Sequence, residues 1–142
     1  MATYTKYEPF IQFLVNKEID WFGTEDTFKA AIHTDAPTVA TDDELADLTQ
    51  ISGTNGYTTG GGDIQNDSTR TGGTVTMTAV DFVWTASVGN LGDSTTGRYV
   101  SIHDDTSTTD KLQCSFDYGA TFTVAVGETL TLDFGASLAT AA

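Results

Sequence analysis

The sequence predicts a mainly-β fold: an antiparallel β-sandwich with one short N-terminal helix and long polar loops. Three observations point to it. Threonine and glycine recur along the 142 residues, and the branched Cβ of threonine suits a pleated surface better than a helix. Lys111–Tyr118 (KLQCSFDY) alternates strictly between polar and apolar residues, the period of a half-buried strand. Turn-forming residues punctuate the chain at short intervals with no strand–helix–strand alternation, which argues against a parallel sheet.

The length fits one domain. Its parts are an N-terminal helix or docking segment (1–22), a β-sandwich (23–136) and a C-terminal tail (137–142). Phe10, Phe13 and Leu14 recur near helical spacing, and Pro9 suits a first turn, where a missing N–H costs nothing. The expected helix runs from about Glu8 to Lys17. It packs on the edge or face of a sheet, or serves as an arm docking on another subunit. Thr27–His33 reads as a strand with Phe28, Ala30 and Ile32 on one side, followed by a loop containing Pro37. Asp42–Gln50 suits one or two helical turns with Leu45 and Leu48 as apolar contacts. Gly53–Gly62 surrounds Tyr57 with glycines that allow tight turns and close backbone approach.

Thr74–Trp84 reads as a long strand whose apolar phase changes at Ala79–Val80, the mark of a β-bulge or bend. A polar loop (Gly89–Gly97), a strand (Arg98–His103) and a turn-rich loop (Asp104–Asp110) follow. In Lys111–Tyr118 the alternation places Leu112, Cys114, Phe116 and Tyr118 on one face. Thr121–Phe134 suggests two further strands about Gly127. The small, weakly apolar tail is expected to be loose or to lie on a neighbouring copy.

Six cations against twenty carboxylates give a formal charge of −14. Such a chain repels nucleic acid and anionic membranes. The charge serves solubility or meets a basic patch on a partner. No signal peptide is visible, and the apolar run Phe10–Val15 is far too short to span a bilayer. The expectation is synthesis in a cytoplasm. The single cysteine, Cys114, sits in an apolar alternation and reads as a buried, inert thiol.

Catalytic motifs are not evident. Gly53–Gly62 lacks the Lys-Ser/Thr pair of a phosphate loop. His33 and His103 end strands beside aspartates, without zinc-ligand spacing, so no metal centre is assigned. The acidic clusters Asp42–Glu44 and Asp104/Asp105/Asp110 lack EF-hand spacing; solvated charge is the default, and a loose calcium site the alternative. No pair of carboxylates is singled out as a glycosidase needs. Ser52 and Ser94 occupy turn-like contexts with no nucleophile elbow. No catalytic residue and no cofactor is therefore expected. Tyr57, Trp84, Tyr99 and Tyr118 could form a sugar platform. Trp84 shares parity with Phe82 and Val80 and reads as core, and Tyr57 reads as either a contact residue or a plug over the sheet end.

Four stretches together resemble a family of small tailed-phage virion proteins. They are Asp20-Trp21-Phe22 with Asp26–Ile32; Ile51–Gly61, which carries a Gly-Tyr-Thr-Thr-Gly-Gly core; Asp81–Trp84 with Gly97–Thr106; and Phe116-Asp117-Tyr118-Gly119. The likeness spans roughly residues 6–134 and departs at Asn55 and in a longer loop after Trp84. It implies a structural protein of the virion, a decoration or cement protein on the head exterior. Its partners would be the major capsid protein and neighbouring copies of itself. The alternative is a tail or fibre component contacting host glycans. The contact residues expected on this reading are Tyr4, Tyr7, Phe10, Phe13, Leu14, Trp21 and Tyr57.

Overall fold

The computed structural model describes residues 2–22, 26–93 and 96–142. The expectation for Ser94 and the boundary placed at residue 23 fall outside them. The fold is mainly β, with antiparallel sheets and one α-helix among the described residues. Five strands form the main sheet: β1 (Thr3–Lys6), β2 (Phe28–His33), β3 (Gly62–Asp63), β7 (Gly97–Asp104) and β8 (Lys111–Phe122). Their order is β1-β8-β7-β2-β3. A three-stranded sheet, ordered β10-β5-β4, combines β4 (Asp67–Thr71), β5 (Thr74–Thr78) and β10 (Ala139–Ala141). The strands β6 (Phe82–Thr85) and β9 (Thr129–Leu132) pair in a two-stranded sheet.

The two small sheets cover one face of the main sheet. Phe28, Ala30, Ile32, Val100, Ile102 and Cys114 from the main sheet share one core with Met77, Trp84 and Leu132 from the small ones. The other face holds a smaller core of Tyr7, Ala31, Leu45, Leu48 and Leu112. The segment between β2 and β3 folds over that face, carrying a single 3-10 turn at Leu45–Asp47. Asp47 holds the turn's start by accepting hydrogen bonds from the Asp43 and Glu44 amides. Because both its faces are buried, β2 reads as a near-continuous apolar run.

The helix α1 (Phe10–Asn16) ends at Lys17, which takes a left-handed backbone conformation (φ 59°). Its inner residues, Phe10 and Phe13, join the main core. The segment before it forms β1, an edge strand on β8 that its exposed Thr-Tyr-Thr-Lys sequence did not suggest. Residues 2–22 are thus packed on the main sheet instead of projecting as an arm.

Four local expectations are corrected. Thr74–Trp84 is two strands instead of one: at Ala79–Val80 the chain turns out of one sheet (β5) and into another (β6), the bend and not the bulge of the two alternatives. Leu112 does not share a face with Cys114. Ile102 pairs with Cys114 and His103 with Leu112, so Gln113 is an extra, bulged residue that turns Leu112 to the opposite core. The tail is not loose: β10 pairs with β5, and Leu138 is buried in the main core. Of the two strands expected about Gly127, only the second forms (β9), and Gly127 sits in the turn before it with φ 84°.

Candidate interaction surface

Of the seven side chains expected to contact a partner, five lie inside the fold. Tyr7, Phe10, Phe13, Trp21 and Tyr57 are buried, because each fills one of the two cores that the sheet needs. Buried side chains offer a partner no area, so the expectation is corrected for these five. Leu14 is partly buried against the main core. Tyr4 is 43% exposed on edge strand β1, packed edge-on against Phe116 at 5.6 Å between ring centroids.

The exposed apolar area of the expected docking segment comes from residues other than the individual contacts expected within it. α1 has the sequence FIQFLVN. Phe10 and Phe13 point inward, while Ile11 and Val15, four residues apart and hence on one helix face, are 45% and 76% exposed. Phe22, beyond the helix, is 50% exposed. A helix apolar on both faces ordinarily has both covered. Leu14, at helical spacing from Ile11, lines a groove of about 330 Å³ with Ile19, Trp21, Phe22, Val75 and Ala141. Lys17 and Asp20 line it too. Within the groove wall the buried Trp21 Nε1 lacks a hydrogen-bond partner among the described residues. The signal for this surface was in the sequence: Ile11 and Val15 occupy the positions where an amphipathic helix would carry polar residues.

The glycine-rich stretch is structural in its geometry. Tyr57 reaches under β2: its hydroxyl accepts a hydrogen bond from the Ile32 amide (3.1 Å) and donates one to Gln50 Oε1 (2.8 Å). Gln50 Oε1 also receives the Gly60 amide. Burial pushes the phenol's pKa up. A Cβ on Gly61 would collide with the Ala30 carbonyl, and one on Gly62 with the Phe82 ring. The glycines let the loop descend between two sheets, and Tyr57 plugs the sheet end. Trp84 is core, packed on Phe82 at 4.8 Å.

The only buried arrangement resembling a nucleophile and base among the described residues joins Ser101 to His33. The Ser101 hydroxyl lies 2.8 Å from His33 Nε2, and His33 Nδ1 donates to the Asp35 carbonyl at 3.0 Å. That bond fixes the tautomer, so Nε2 accepts from Ser101 and Tyr7 donates to Ser101 Oγ at 2.9 Å. All three side chains are fully buried. Buried and hydrogen-bonded on both sides, Ser101 stitches β7 to β2 and to the segment before α1. Desolvation holds the His33 pKa below its ordinary value against the opposing pull of Asp35. The Cys114 thiol is fully buried and its pKa is raised by that burial, an inert environment.

No helix among the described residues is long and apolar enough to cross a membrane. No protein-family model matches the chain, and neither do curated proteins or solved structures.

Proposed function

We propose that the chain is a non-catalytic structural protein of a tailed-phage virion, a decoration or cement protein on the outside of the head. The observation that carries the reading is the outward apolar face of α1, with Ile11, Val15 and Phe22 beside an open apolar groove on a chain of formal charge −14. An exposed apolar patch on an otherwise charged surface marks an attachment site. The virion assignment itself comes from the resemblance of the Gly-Tyr-Thr-Thr-Gly-Gly and Gly-Arg-Tyr-Val segments to small phage virion proteins.

On this reading the α1 face binds the outer surface of the major capsid protein, and the acidic loops face solvent. The free edge of β1 is a place where neighbouring copies could pair strand to strand. Binding only the assembled lattice stabilises that lattice by mass action. Quantitative staining of purified virions tests the assignment. Hundreds of copies per particle, with heads lacking the protein bursting at lower temperature, are expected. A few copies per particle would instead favour a tail or fibre component contacting host glycans, and absence from virions would end the proposal.

A further inference from the structure

The hairpin loop between β7 and β8 places three donor groups together. His103 Nδ1 and the carboxylates of Asp105 and Asp110 lie within 4.8 Å of one another. His103 is fully buried on β7, and the two aspartates stand where the loop leaves and re-enters the sheet. The imidazole is oriented from behind. Its Nε2 is 2.9 Å from the Gly60 carbonyl, which can only accept, so Nε2 carries a proton.

That leaves Nδ1 facing the loop. It is buried, has no hydrogen-bond partner among the described residues, and stands 3.9 Å from Asp110 Oδ1. A buried polar atom in this state calls for a partner. The bond from Nε2–H to a backbone carbonyl is the outer contact that metal-binding histidines ordinarily make. Asp105 also pairs through Oδ2 with Lys29 Nζ at 2.8 Å, which makes Lys29 a competing positive charge beside the site.

We propose that His103, Asp105 and Asp110 hold a divalent transition-metal ion of the zinc or manganese kind, which ties the β7–β8 loop to the sheet. One imidazole with two carboxylates suits these ions, whereas calcium takes oxygen ligands. Water would complete the coordination. The ion binds the folded state alone, since the donors are brought together by the hairpin, and it therefore raises stability in proportion to its occupancy.

The test titrates zinc chloride into the full-length, isotope-labelled chain, with calcium chloride as a parallel arm. One equivalent of zinc is expected to shift the ring Nδ1 resonance of His103 and not that of His33, and to raise the melting temperature. Asp110→Asn and Asp105→Asn, which alter partly exposed residues and spare the core, should each weaken zinc binding tenfold or more. Zinc binding without a His103 shift would overturn the site. So would unchanged affinity in either aspartate variant, calcium binding as tightly as zinc, or no zinc binding at all.

Discussion

Leu112 and Cys114 lie two residues apart on β8 and point into opposite cores, because Gln113 is bulged between them. Gln113 is itself buried, with Nε2 weakly bonded to the Met77 sulfur at 3.8 Å and Oε1 without a partner among the described residues. Replacing an under-partnered buried amide with an apolar group of similar shape is neutral or stabilising. Gln113→Met is therefore expected to leave stability unchanged or raise it by up to about 1 kcal/mol. Leu112→Ala, which empties the second core, should cost about 2–5 kcal/mol. Urea unfolding of the two variants checks the contrast, and a large loss in Gln113→Met would contradict it.

Tyr57→Phe isolates the role of the plug. The change keeps the ring and strands the buried Ile32 amide that the hydroxyl serves. The expected loss is about 1–3 kcal/mol by chemical denaturation, with attachment to the particle unaltered in the folded variant. Weakened attachment at full stability would return Tyr57 to the contact surface.

His33 makes stability depend on acid. Its pKa in the folded chain is lowered by burial from an unfolded value of about 6.5. As pH falls below that value the unfolded chain takes up the proton first. The contribution is thus fully present above about pH 6.5 and drains away toward the folded pKa, by at most about 1.4 kcal/mol per pH unit. A nuclear magnetic resonance titration should place the His33 midpoint below 6.5; a midpoint at or above it would refute the sign.

The C-terminal strand is part of the sandwich. Deleting residues 137–142 removes Leu138 from the core and β10 from the edge of β5, uncovering the buried Met77. The expected loss is about 2 kcal/mol or more, measured by the urea midpoint. An unchanged midpoint would mean that the strand contributes nothing to the fold.

The central strands were legible because burial shapes their composition. Phe28, Ala30 and Ile32 on β2, and Val100 and Ile102 on β7, carry a signal in their own sequence. Edge strands carry little: β1 is exposed throughout, and β10 is Ala-Thr-Ala, so their pairing depends on partners far along the chain. The bulge at Gln113 was invisible for the same reason, since register is a property of two strands and the alternation of one looks regular across it. At the candidate surface, helical spacing alone does not say which apolar face of α1 turns inward. Phe10 and Phe13 are the larger residues of α1 and go inside, leaving the aliphatic Ile11 and Val15 outside. In the sequence His103 ends a strand while Asp105 and Asp110 lie in a loop, and only the hairpin brings the three together.

Attachment through the outward face of α1 is tested most directly with the Ile11→Gln/Val15→Gln variant. Both positions are exposed and glutamine is a good helix former, so stability should stay within about 1 kcal/mol of the parent. The measurement is cosedimentation of the purified variant with phage heads assembled without the protein. Parent chain pelleting with the heads while the folded variant stays in the supernatant is the predicted result. Equal pelleting of the two would contradict it.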